Sequence, residues 1–310
     1  MDLTGELKNI YQEGTETLFT LGVFDGVHIG HRFLIEKLSR HAKKRHLSSG
    51  IITFDPAPQS ILQPSTNIFW LSDLKNKVMA LKNLGIDVIV VLSFTQALSQ
   101  FSAQEFISFL VKSLKMRGIM IGPDFTLGRN HEGNAQTLRL LGLQMAFSVE
   151  VVAPFTLNGE TVSSTLIRRV LTQGDMKKVE MLMGRYFQLG GKVITSNKRG
   201  RVLGFPTANL DIRPQQALPG NGIYATIAQI DGKQFSSATN IGIRPTFGEG
   251  EKTVETHLLN YKGDLYGKDI RLEFVQKLRD EQRFPSSEEL KAQIEKDVRE
   301  VEAILTKDLK

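Results

Sequence analysis

The chain has 310 residues, with 39 lysines and arginines against 33 acidic residues, a formal net charge of +6 and no cysteine. That length suits two compact domains, and apolar and charged fractions of 41% and 23% are those of an ordinary globular protein rather than a disordered one. The absence of cysteine excludes disulfides, thiolate metal sites and a cysteine nucleophile, and no stretch nears the ~20 apolar residues of a bilayer span.

The opening segment, MDLTGELKNIYQEG, lacks the basic start and apolar middle of a secretory signal, so a cytoplasmic location is expected. Short apolar runs then alternate with amphipathic segments, the pattern of a parallel sheet covered by helices. Strands are predicted over 17–23, 50–54, 87–92, 118–121 and 149–153, and helices over 30–45, 71–84, 102–114 and 134–144. Ser102 and Glu105 read as a capping box. The basic run HAKKRH at 41–46 closes the first helix, where cations complement the helix dipole.

Two short helices follow, over 164–172 and 175–183, and then the pattern changes. From Phe187 onward β-branched residues and turn signals dominate. Residues 223–230 and 233–238, joined by Asp231 and Gly232, read as a hairpin, because Asp-Gly supplies the left-handed conformations of a tight turn. Further strands are predicted over 253–260 and 270–278, making a small antiparallel barrel. A last helix starts at a capping box of Ser286 and Glu289 and carries the stripe Leu290, Ile294, Val298, Val301 and Leu305 at helical spacing. A domain boundary is expected between 184 and 185.

Residues 22–31 read GVFDGVHIGH where the first strand passes into the first long helix. In open α/β sheets ligands bind beyond the carboxyl ends of strands, where helix N-termini present free amides to phosphate. Gly22, Gly26 and Gly30 let the backbone approach a nucleotide closely, and His28 and His31, three apart, can face one way. From the residues alone the two imidazoles could equally hold a metal or cap and pack the helix. The usual GxxxxGK[ST], GxGxxG and HExxH loops are absent.

The string HIGH within this segment resembles the signature of the HIGH-type nucleotidyltransferases, and the longer string is similar to that of bacterial FAD synthetases. TFDPAP at 53–58 and SSTLIR at 163–168 extend the resemblance. It implies that Gly22, Phe24, Asp25 and Gly30 surround ATP, that His28 and His31 stabilise its phosphates, and that Ser164, Thr165 and Arg168 grip the triphosphate. AMP would pass directly to the phosphate of FMN. GPDFTLGRNHEG at 122–133 is similar to the family's GxDFxFGxxRxG, which implies Asp124 and Phe125 as flavin contacts. Leu127 and His131 stand where an aromatic residue and an arginine are usual.

KRGRVLGFPTANL at 198–210 is similar to the riboflavin kinase string GRxLGFPTANL. Its chemistry is legible in the residues: Gly200 and Gly204 admit backbone to phosphates, Pro206 stiffens the loop, and the Thr207 hydroxyl and Asn209 carbonyl offer hard oxygens to Mg²⁺. The resemblance adds Arg201 to the ATP contacts. NIGIRPTFG at 240–248 and VETHL at 254–258 extend it, implying Glu255 as the base that accepts the proton of the ribityl 5′-hydroxyl. LRDEQRF at 278–284 implies Arg279 and Glu281 as flavin contacts. Thr195 and Ser196 replace a usual His-Gly pair, and Asn260 a common aspartate.

The whole chain therefore resembles the bifunctional riboflavin kinase/FAD synthetase family. That implies an α/β plus β protein, with a Rossmann-like HIGH-type nucleotidyltransferase domain over 1–184 and a small antiparallel β-barrel riboflavin kinase domain with a C-terminal helix over 185–310. Riboflavin, FMN and ATP are the expected small-molecule partners, Mg²⁺ the expected metal, and no nucleic acid, membrane or obligatory protein partner is expected. Two rival readings stay open: an FAD synthetase whose kinase domain is inactive or weak, and a basic nucleic-acid-binding regulator with a flavin or nucleotide ligand.

Overall fold

Five of the apolar runs form one parallel sheet. β1 (Thr17–Leu21), β2 (Ser48–Phe54), β3 (Val88–Leu92), β4 (Met116–Ile121) and β5 (Ser148–Val151) lie in the order β3-β2-β1-β4-β5. The computed structural model that shows this describes residues 15–195, 204–243 and 252–306, and the chain divides into two units between Ser164 and Thr165.

In the first unit β1 is buried along its whole length, as a central strand covered on both faces must be. Neighbouring residues on one strand enter opposite cores. Phe19 and Ile52 pack with Phe106, Ile107 and Leu110, whereas Leu18 and Ile51 pack with Ile35 and Leu38. The covering helices include α1 (Ile29–Lys44), α3 (Leu74–Lys82), α5 (Ala103–Ser113) and α6 (Ala135–Met145); α2 (Pro58–Leu62) and α4 (Gln96–Ser99) are short connections absent from the sequence reading. Ser102 and Glu105 make the expected capping box. The helix expected from residue 71 starts only at Leu74, because Asp73 caps it and the amides of Leu71 and Ser72 are drawn to Asp25. A two-residue ribbon of β6 (Thr156–Leu157) and β7 (Glu160–Thr161) was likewise not anticipated.

The strand order reverses between β1 and β4, so the loops leaving their carboxyl ends part and open a crevice. This reversal positions the first site.

The second unit contains α7 (Ser164–Gln173) from Thr165 onward and α8 (Met176–Met183). A closed antiparallel barrel follows, β10-β11-β12-β9-β8-β13, built from β8 (Phe187–Ile194), β9 (Ala208–Asp211), β10 (Gly222–Ile230), β11 (Lys233–Ile243), β12 (Lys252–Leu258) and β13 (Asp269–Arg279). Among the described residues, closure leaves this barrel no edge strand. Asp231 and Gly232 take φ of 49° and 76°, the two left-handed residues of a type I′ hairpin turn. Phe187, Tyr224 and Phe274 pack within the barrel, alongside a ladder of buried hydroxyls from Thr226, Ser237, Thr239 and Thr256. Helix α9 (Ser287–Leu305) lays Val298, Val301 and Leu305 on Ala225 and Ile227 outside the wall, the packing role its stripe suggested.

Candidate functional sites

The loop after β1 is held in a costly conformation. Phe24 and Val27 have φ of 52° and 40°, a region that bulky and β-branched residues rarely occupy. Such strain persists only where surrounding contacts over-determine it. The Asp25 carboxylate, 4% exposed, accepts the amides of Leu71 at 3.0 and 3.1 Å and of Ser72 at 3.1 Å. The Gly26 amide donates to Ser72 Oγ at 3.0 Å, and Ser164 Oγ donates to the Asp25 carbonyl at 2.9 Å. Asp25 thus shapes the loop from beneath.

His28 caps α1, its Nδ1 accepting the His31 amide at 3.3 Å. The two imidazoles stack with centroids 3.6 Å apart and planes 18° apart, and Phe24 meets His31 edge-on. Gly30 permits this packing, since a Cβ there would lie 3.1 Å from the His28 ring and 3.2 Å from the Val162 carbonyl. Burial and then the neighbouring His28 hold His31 well below the ordinary histidine pKa, which keeps it neutral near pH 7. Its Nδ1 is buried without a hydrogen-bond partner among the described residues. A buried ring nitrogen in that state, donor or acceptor according to tautomer, fits a site completed by a ligand.

His28, Gly30 and His31 line a cavity of about 250 Å³ together with Gly122, Pro123 and Ser164. It opens where the strand order reverses. Arg168, half-buried on α7, and Thr165, exposed, belong to the second unit. Gly22, whose amide donates to the Ile52 carbonyl at 3.0 Å, extends the sheet pairing into the loop.

The segment after β4 carries Asp124, exposed, and Phe125, half-buried against the core shared with Leu127. Leu127 and Gly133 pair as an isolated bridge that closes the loop. Gly128 is required there, because φ is +77° and a Cβ would stand 2.5 Å from the Ala103 amide nitrogen. His131 Nδ1 lies 2.9 Å from Thr126 Oγ1. The two residues that depart from the family string therefore have local partners, Leu127 in the core and His131 within its own loop.

On the barrel, Gly204 turns with φ of 89° and the chain runs through Pro206 and Thr207 into β9. His257 fastens this approach, with Nδ1 2.8 Å from the Pro206 carbonyl and its ring edge-on to Phe205. Sequence reading assigned His257 no role. Its position two residues from Glu255 on the same strand face was the available signal. Asn209, 5% exposed, pairs directly with Glu255 across β9 and β12, and Glu255 pairs with Asn240 across β12 and β11. These side chains share one face of the wall. Asn240 Oδ1 is buried without a partner among the described residues.

Arg279 ends β13, where Asp297 of α9 binds its guanidinium at 3.0 Å through Nε and 2.7 Å through Nη2. Phe284 packs beneath it. Glu281 accepts from Asn221 Nδ2 at 3.4 Å and has its other oxygen against Gly242. Gly200 and Arg201, like Ser196, lie outside the described residues.

These features define the class: an α/β nucleotide-handling unit followed by a closed barrel with an amide-carboxylate row on its wall. Family models agree, FAD synthetase matching residues 10–166 and riboflavin kinase residues 183–305. A bifunctional riboflavin kinase/FMN adenylyltransferase from Pseudomonas fluorescens is 36% identical over 98% of both chains, and one from Escherichia coli strain K12 is 35% identical over 96% of both. A solved structure described as a macrolide-efflux protein from Streptococcus pneumoniae has the same fold, with a TM-score of 0.85, 27% identity and coverage of 94% of this chain and 95% of that one. Among the described residues no helix is long and apolar enough to cross a membrane. The chain belongs to the family of bifunctional riboflavin kinase/FMN adenylyltransferases.

Proposed function

We propose that this chain phosphorylates riboflavin to FMN at the barrel and adenylylates FMN to FAD, with release of pyrophosphate, at the α/β unit. Functional domains over 1–184 and 185–310 accord with this reading, the family match to riboflavin kinase starting at residue 183. The observation that carries it is the pairing of Glu255 with Asn209 in one row, together with the stacked His28 and His31 beside the crevice.

At the barrel, Glu255 is the base. It takes the proton of the riboflavin 5′-hydroxyl while that oxygen attacks the γ-phosphorus of ATP and ADP departs. Thr207 immediately precedes β9 and Asn209 is its second residue, so extended alternation sends both to one side, where two hard oxygens next to a carboxylate fit Mg²⁺. When bound, Mg²⁺ neutralises phosphate charge and aligns the transferred group. Gly204 and Pro206, with Gly200 and Arg201, border the nucleotide, and Arg279 and Glu281 the flavin. Asp297 holds Arg279 in place for that contact.

At the α/β unit the FMN phosphate attacks the α-phosphorus of a second ATP, and no protein nucleophile is needed. Catalysis is positioning and charge stabilisation. His28 and His31 donate to phosphate oxygens, Ser164, Thr165 and Arg168 hold the triphosphate, and Gly22, Phe24, Asp25 and Gly30 form the loop around it. Asp124 and Phe125 meet the flavin. ATP, riboflavin and FMN are the partners, with no nucleic acid, membrane or obligatory protein partner, in the cytoplasm.

Purified protein incubated with riboflavin, ATP and Mg²⁺, with flavins separated by chromatography, tests this. FMN and then FAD are expected. No FMN from riboflavin would refute the kinase, and no FAD from supplied FMN the adenylyltransferase.

A further inference from the structure

Lys77 is a buried lysine outside every motif read in the sequence. It lies on α3, 7% exposed, and its Nζ donates to the Val23 carbonyl at 3.2 Å, the Thr53 hydroxyl at 3.0 Å and the Phe54 carbonyl at 3.1 Å. An ammonium group has three donors, and here each finds one acceptor. The acceptors belong to two neighbouring elements, Val23 to the strained loop after β1 and Thr53 and Phe54 to the carboxyl end of the adjacent strand β2. Thr53 Oγ1 also donates to the Val23 carbonyl at 3.1 Å. Asp25 and Gly26 bind residues 71 and 72, just before the same helix.

The loop bearing Phe24 and Val27 is therefore fixed at Val23, Asp25 and Gly26 by the single stretch 71–77. A burial site this polar is hard to explain by packing, since a lysine amine is taken out of water only where bonds replace its hydration. Burial lowers the Lys77 pKa, and Asp55 and then Asp25 oppose that fall. His28 lies two residues beyond Gly26, and His31 three residues further on in the first turn of α1.

We infer that Lys77 is a positioning residue for adenylyl transfer, locking the loop after β1 onto the carboxyl end of β2 so that His28 and His31 meet the ATP phosphates in register. This rests on the adenylyltransferase reading above. The two fail separately: if the unaltered chain made no FAD from FMN, that reading would fall whatever Lys77 does.

The test uses the full chain, whose riboflavin kinase reaction serves as an internal control. Lys77→Met keeps the aliphatic stem and removes the amine. The kcat of FMN adenylylation is expected to fall about 100-fold, as an ångström-scale misplacement of reacting groups can cause, with KM for ATP little changed and riboflavin phosphorylation intact. Because the chain has no cysteine, Lys77→Cys introduces a single thiol that can be alkylated in denaturant before refolding. Bromoethylamine restores a lysine-like amine and bromoethane does not. Recovery of adenylylation in the aminoethylated form alone supports the inference. Undiminished adenylylation in Lys77→Met overturns it, as does a loss confined to KM for ATP, which would make the loop a ground-state binding element. If Lys77→Met loses both activities, the two alkylated forms decide, and equal adenylylation in both overturns the inference.

Discussion

Asn209 stands directly across from Glu255 in the antiparallel pairing of β9 with β12, so amide and carboxylate leave the barrel wall on the same side. Pairing of β12 with β11 brings Asn240 into the same row. The proposed metal ligand, the proposed base and a buried amide oxygen without a partner among the described residues are thus neighbours on three strands.

Replacing Glu255 with Gln keeps the shape and removes the proton acceptor. FMN formation is expected to fall by about 10²- to 10⁴-fold, the usual worth of a general base, while adenylylation of supplied FMN is unchanged. Chromatographic assay of each half-reaction checks this, and equal damage to both would refute the assignment.

Asn209→Leu should leave the barrel folded, because the position is already buried. The Mg²⁺ concentration for half-maximal riboflavin phosphorylation is expected to rise about tenfold or more. A Mg²⁺ titration with an unmoved midpoint would remove Asn209 from the metal site.

His31 is depressed well below 6.5 by burial and then by His28. An anionic triphosphate favours the charged ring, so the bound pKa exceeds the free one. Between those two values ATP binding at this site takes up a proton, and affinity rises as pH falls. Calorimetry of ATP binding in buffers of differing ionisation enthalpy should show this uptake, and His31→Gln should lose it. The stability sign runs the other way: a ring kept neutral by folding withholds a proton that the unfolded chain binds, so its contribution is complete above about pH 6.5 and is lost as pH falls toward the depressed folded value.

Asp297 is 4% exposed and binds Arg279 through two nitrogens. Asp297→Ala leaves that guanidinium without its carboxylate, which is expected to destabilise the second unit by about 3 kcal/mol and to raise KM for riboflavin. Denaturant unfolding and kinase kinetics check the two effects.

Much of this was legible in the residues. The alternation of apolar runs and amphipathic segments corresponds to the parallel sheet because a covered sheet and its helices each impose a period on the chain. Asp231 and Gly232 announced their turn because few residues tolerate its backbone. Strands β8 and β9 were less visible, because their barrel positions depend on pairing with β13 and β12, which local pattern does not encode. Asp25 and Lys77 show the same limit. Nothing near Asp25 in sequence indicates that its carboxylate turns down onto the amides of residues 71 and 72, and Lys77 reads as one more polar helix position until the fold buries it.

By itself the sequence determined the order of domains, the helix caps, the tight turn and the strings that carry the family resemblance, since each depends on residues close along the chain. Tertiary structure alone decided that Glu255 faces Asn209, that His28 and His31 border the crevice where strand order reverses, and that Lys77 joins the loop after β1 to the end of β2. Those relationships arise from strand pairing and burial, which bring together groups distant in sequence and remove them from water, where their hydrogen bonds gain the strength to hold a loop in place.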